Sequence, residues 1–98
     1  MAIAFSTAKF DAMQMSATYN DHESRYELTE DGHTAIANVR FDGEFLFIDY
    51  VESPFELRGK GTAGRLMQGI VDDAETKNLI LRPVCGYAKK WLERYTNK

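Results

Sequence analysis

Leu57-Arg58-Gly59-Lys60-Gly61-Thr62-Ala63-Gly64-Arg65 is where this chain changes its period. Before it, apolar residues alternate with polar ones: Tyr26 and Leu28, then Ala35, Ala37, Val39 and Phe41. After it, Leu66, Met67, Ile70, Val71 and Ala74 fall at i, i+1, i+4, i+5 and i+8, which is one face of a helix. The nonapeptide therefore joins strands to a helix. Its three glycines, at 59, 61 and 64, sit at the joint.

Upstream, Asp31-Gly32 and Asp42-Gly43 separate the alternating runs. Asp-Gly tolerates the positive φ angles of a tight hairpin, so three antiparallel strands are predicted near 24–30, 33–41 and 44–52. Phe45-Leu46-Phe47-Ile48 is continuously apolar, which predicts a central strand covered on both faces. Ser53-Pro54 ends that strand, because proline cannot donate into a ladder. Residues 1–20 fit neither period and read as an irregular or docked arm.

Downstream, Asp72, Asp73 and Glu75 fall largely on the polar face of the helix, and Asn78 is a stop. Leu79-Ile80-Leu81, bounded by Pro83, predicts a short strand over 79–83. Tyr87, Ala88, Trp91, Leu92 and Tyr95 repeat the helical spacing, with Trp91 expected in the core. The order is β-β-β-α-β-α. A strand-helix-strand unit brings its strands parallel, so 79–83 is expected beside 44–52. The expected fold class is α/β (α+β): a mixed sheet of a three-strand antiparallel meander plus a parallel fourth strand, with two helices.

Ninety-eight residues suit one domain with one modest core. Hydrophobic residues at 44% and charged residues at 28% are ordinary globular values. No run approaches the roughly 20 apolar residues of a membrane span. The N-terminus lacks the basic start of a cleaved signal peptide. One cysteine excludes an internal disulfide and a cysteine-cluster zinc site, and a reducing, cytoplasmic setting is expected. No metal is expected, since His22 and His33 lie in predicted turns without ligand spacing.

Charge divides sharply along the chain. Residues 1–57 hold three bases against eleven acids, and residues 58–98 hold nine bases against four. The basic half suggests an anionic ligand, and the acidic remainder argues against a broad nucleic-acid footprint. The glycine loop is the natural place for such a ligand. Unpaired amides at a helix start point outward and the dipole there favours anions, while Arg58, Lys60 and Arg65 add charge. The loop is not a Walker sequence. Nor is it a dinucleotide fingerprint: Gly59, Gly61 and Gly64 are in register, but Ser53 to Leu57 separate them from the strand. The remaining alternative is a flexible linker that caps the helix.

Arg58-x-x-Gly61-x-Ala63 resembles the Arg/Gln-x-x-Gly-x-Gly/Ala signature of the GNAT acetyltransferase superfamily. Pro83-Val84-Cys85-Gly86-Tyr87-Ala88, followed by Trp91, is similar to the Pro-x-Cys-x-Tyr stretch of its very small single-domain members. The resemblance covers about Arg25 to Tyr95. It departs at Tyr50-Val51-Glu52, where relatives often carry His-Thr-Glu, and at Tyr95-Thr96-Asn97, where many carry His-Pro-Glu. The resemblance implies acetyl-CoA as cosubstrate, its pyrophosphate on the loop Arg58, Gly59, Lys60, Gly61, Thr62, Ala63, Gly64 and Arg65. Its pantetheine arm would lie along Tyr50, Val51 and Ser53, in a gap between the strands 44–52 and 79–83. Its thioester would point towards Cys85, Tyr87 and Ala88.

Three side chains are then candidates for the chemistry. Glu52 is either a base for the acceptor amine or a surface carboxylate at a strand end. Tyr87 is either a proton donor to the leaving thiolate or a core aromatic. Cys85, at a helix start that lowers a thiol pKa, is either a nucleophile or a small packed residue beside the cofactor sulfur. The leading expectation is an N-acetyltransferase acting on an amine of a protein or small molecule. A CoA-binding module without transfer, and a small interaction domain, are the alternatives. A monomer or weak dimer is expected, with no membrane or nucleic-acid partner.

Overall fold

The computed structural model describes residues 17–96. One sheet holds five strands in the order β1-β2-β3-β4-β5: β1 Thr18–Asn20, β2 Arg25–Glu30, β3 His33–Asp42, β4 Phe45–Glu52 and β5 Ile80–Pro83. A 3-10 turn, Phe55–Leu57, leads into helix α1, Thr62–Thr76, and helix α2 is Gly86–Thr96. β1 to β4 are antiparallel neighbours, and β5 runs parallel to β4. The four expected strands are present within a residue of their expected bounds.

β1 extends the expected three-strand meander to four. It occupies residues 18–20, which the sequence pattern places in an irregular arm; the rest of that arm, 1–16, lies outside the described residues. Three residues are too few to display an alternation, and the turn before β2 depends on Ser24 at φ 55° rather than on a glycine. The second hairpin also turns one residue later than Asp42-Gly43. Asp42 pairs with Phe45, so the turn is Gly43-Glu44 with Gly43 at φ 60°. The first turn is Asp31-Gly32, both at positive φ as expected.

The alternation decides which face is buried. Tyr26, Leu28, Ala35, Ala37, Val39, Leu46 and Ile48 point to one side, where Leu66, Met67, Ile70 and Ala74 of α1 and Ala88 of α2 meet them in one core. Both helices therefore cover the same face. This corrects the expectation that β4 is covered on both. Phe45 and Phe47 point the other way, and their rings are half-buried under side chains rather than under an element. Arg82 lies 4.8 Å from the Phe45 centroid and Arg40 lies 4.5 Å from that of Phe47, in cation–π geometry.

One polar contact ties α1 to the sheet from within. The hydroxyl of Tyr26 donates to Asp73, which the sequence places on the polar face of α1. Burial first, and the carboxylate second, push the Tyr26 hydroxyl pKa well above its ordinary value.

The burial pattern separates two isoleucines by consequence. Ile70 is fully buried under the sheet, while Ile80 is 46% exposed. In urea unfolding, Ile70→Ala should lose about 2–5 kcal/mol, and Ile80→Ala should stay within about 1 kcal/mol of the parent. Equal losses would contradict this core assignment.

Candidate functional site

Two local features part β4 from β5. Val39 faces Ile48 while Asn38 faces Tyr50, so Asp49 is an extra residue on β4. Such a bulge bends and twists its strand. On the other edge, β5 pairs with β4 only from Phe45–Ile80 to Ile48–Pro83. Pro83 has no N–H. The next two amides, of Val84 and Cys85, both donate to the Ile48 carbonyl, at 2.8 and 3.1 Å, and the chain then enters α2. Among the described residues, Asp49 to Glu52 have no strand beside them on the β5 side.

The glycine loop sits at the end of this open edge. Gly59 and Gly61 both have φ 81°, a left-handed conformation that glycine adopts without strain. Gly61 is the residue that caps α1, and no side chain satisfies the helix start. Among the described residues, the amides of Gly59, Gly61, Thr62, Ala63 and Gly64 reach no backbone carbonyl. Thr62 is fully buried, so Gly59, Gly61, Ala63 and Gly64 are the donors on the accessible side of the turn, where the helix dipole adds positive potential. Arg58 donates from Nε to the Ser53 carbonyl at 3.2 Å, which ties the loop to the end of β4.

The cations of the loop are not equivalent. Arg65 grips Glu30 at the end of β2 with two hydrogen bonds of 2.7 Å, and donates to the Lys60 carbonyl at 2.9 Å. Thr62 is fully buried, and its hydroxyl donates to the same Glu30 at 2.6 Å. The Arg65 guanidinium and the Thr62 hydroxyl therefore hold the loop in place. Lys60 lies 3.4 Å from Asp31 with both side chains exposed, a loose pair that leaves its ammonium accessible. Arg58 and Lys60 remain as the loop's charges that no tight carboxylate pair holds. Arg65 and Thr62 hold the Glu30 carboxyl down at about 2, from an ordinary 4.5.

The other sequence candidates fall around the gap. Val51 faces the core, whereas Tyr50 and Glu52 are exposed, and Glu52 pairs with Ile36 on the helix-free face. The Ser53 hydroxyl oxygen is buried and, among the described residues, makes no hydrogen bond. Cys85 is a half-buried free thiol packed against the core from the helix side. Tyr87, in the first turn of α2, is 41% exposed, and burial is the main cause that raises its hydroxyl pKa. Ala88 is wholly buried, so its side chain belongs to the core. The gap thus carries a carboxylate on one face of the sheet and a thiol and a phenol at the start of α2.

Two participants escape the sequence reading. Glu30 anchors the loop from 35 residues away, and no spacing rule links it to Arg65. Asp49 forms the bulge, with Arg40 donating to its carboxylate at 2.6 and 2.9 Å; inside an apolar strand it reads as an ordinary outward residue. The strand–loop–helix unit, with an open strand edge next to a run of unpaired amides, is matched at the level of sequence. A model of the GCN5-related N-acetyl-transferase family matches residues 25–98.

The chain belongs to that family. A search of curated proteins finds no match. The mixed five-strand sheet with its two helices agrees with the GNAT-like fold. The matched segment starts at β2, so β1 precedes the family region, while the loop, the gap and both helices lie inside it.

Glu30 gives this site a pH signature. Because folding lowers its pKa from 4.5 to about 2, its contribution to stability is present above about pH 4.5. That contribution is lost as pH falls through the interval down to about 2. Urea midpoints of the parent and Glu30→Gln should therefore differ at neutral pH and converge across that interval. A constant difference down to acid pH would remove Glu30 from its assigned place.

Proposed function

We propose that this protein is an acetyl-CoA-dependent N-acetyltransferase. The observation that carries the reading is the juxtaposition at one end of β4: the unpaired amides of Gly59, Gly61, Ala63 and Gly64 adjoin an unpaired strand edge at Asp49 to Glu52. A phosphate group suits the first, and an extended amide-bearing chain suits the second. CoA carries both in that order. The buried, unpartnered Ser53 hydroxyl between them is a further group that such a ligand would satisfy.

Transfer is direct attack of the acceptor's amine nitrogen on the thioester carbonyl. A C–N bond forms, the C–S bond breaks, and the thiolate leaves. Glu52, on the helix-free face, takes the amine proton; Tyr87, whose raised pKa keeps it protonated, returns one to the sulfur. Donors along the open β4 edge polarise the carbonyl oxygen. Cys85 packs beside the sulfur without forming a bond to the acetyl group. The acceptor is a primary amine on a protein or small molecule, entering from the face opposite the helices.

Arg58→Ala combined with Lys60→Ala should weaken acetyl-CoA about tenfold or more in calorimetric titration, since each charged contact to phosphate contributes measurably. Unchanged affinity would remove the cradle. A second reading, a CoA-binding module without transfer, draws on the exposure of Glu52, which nothing in the described structure holds in position. Glu52→Gln and Cys85→Ala separate the two in an amine-acetylation assay. Transfer requires that Glu52→Gln lower turnover by about 10²-fold or more, while Cys85→Ala retains activity. Binding without any turnover in the parent supports the module.

A further inference from the structure

Glu52 stands among apolar side chains that the core does not use. Tyr50 faces Asn38 as Glu52 faces Ile36, so both side chains leave the sheet on the helix-free face. Tyr50 is 49% exposed. Phe55 opens the 3-10 turn just beyond Glu52 and is 80% exposed, whereas Leu57 of the same turn is buried. Val84 is 60% exposed, and its amide donates to the Ile48 carbonyl at 2.8 Å, which sets it beside β4 where the two strands part. Among the described residues, Glu52 itself pairs with no cation.

Exposed apolar residues scattered singly need no explanation, but a group of them beside one functional carboxylate marks a contact surface. The carboxylate attracts an ammonium, and the apolar side chains gain by covering apolar atoms. The occupant therefore carries an amine with an apolar group next to it. Its size follows from spacing and exposure. From Ile48, beside Val84, to Phe55 the chain advances seven residues, a path of up to roughly 23 Å at the rise of a strand. A diamine of a few carbons touches one end of that path, while an extended peptide of about seven residues has its reach. Side chains this exposed do not enclose a small ligand, which is normally buried over most of its surface.

We infer that the acceptor is a polypeptide amine with a bulky apolar residue beside it, held by Tyr50, Phe55 and Val84 while Glu52 receives its proton. The inference rests on the acetyl-CoA reading above. It also accounts for Phe55, a ring that the fold leaves almost wholly in solvent.

Initial rates of acetylation of synthetic peptides test it. The amine is offered as the lysine of an Nα-acetylated peptide and as the free N-terminus of a lysine-free one, each made with leucine or with glycine beside it. Spermidine is the small-amine comparison. The parent should favour a leucine-flanked peptide by about tenfold in kcat/KM over its glycine twin and over spermidine. Phe55→Ala combined with Val84→Ala should raise the KM of the leucine-flanked peptide to that of its twin. Ile80→Ala, likewise exposed but paired with Phe45 at the far end of β5, should keep the preference. A parent that favours spermidine or treats the twins alike, or a double variant that keeps the preference, overturns the inference and leaves the acetyl-CoA reading standing. A parent that acetylates none of these amines overturns it as well, and calorimetry with acetyl-CoA then shows whether the cosubstrate site falls with it.

Discussion

The pairing between β4 and β5 stops after four residues, and the shape of the site depends on that stop. Pro83 cannot donate, and the amides that follow it converge on a single acceptor, the Ile48 carbonyl. One carbonyl with two donors is a terminus for this ladder, because beyond Cys85 the chain turns into α2 and no longer runs beside β4. The bulge at Asp49 turns β4 away on the other side of the same point. Backbone groups in a sheet are normally paired. An exposed strand with free groups invites an extended chain, and here the invitation is confined to one short edge beside the helix start.

The glycine loop needs the opposite treatment, because two residues at positive φ make a mobile turn unless something holds it. Glu30 does so at the end of the β2–β3 hairpin, with bonds to Arg65 and Thr62 that fix the first turn of α1 against the sheet. Arg65 spends its guanidinium on this and on the Lys60 carbonyl. The loop is therefore ordered by side chains committed to Glu30, and backbone donors with Arg58 and Lys60 are left free of that anchor. Preorganised donors lose less on binding than donors that must first be collected.

Most of the sheet could be read from alternation, since burial on one face leaves a period of two at Tyr26, Leu28, Ala35, Ala37 and Val39. The first helix was equally legible in five of its six buried positions, Thr62 being the exception. β1 was not, because three residues cannot show a period, and the coverage of β4 was misread for a related cause. A run of apolar residues records only that both faces avoid water, and arginines over Phe45 and Phe47 do that as well as a helix. At the site, the loop announced itself through glycine spacing and local charge. The anchor Glu30 and the bulge Asp49 did not, because each acts through a partner chosen by the tertiary fold.

The division of charge along the chain takes on a different meaning in three dimensions. The acidic half does not stand apart from the basic half: Glu30 and Asp31 meet Arg65 and Lys60 at the loop. What survives as accessible positive charge on this side is Arg58, a loosely held Lys60, Arg94 across the seam and the amides of the helix start. A chain of net charge −3 repels an anion at long range only weakly, because salt screens such fields beyond about 8 Å. At the loop itself the local pattern of charge outweighs the net charge. Carboxylates on the hairpin side and cations on the helix side give the loop a direction as well as a sign.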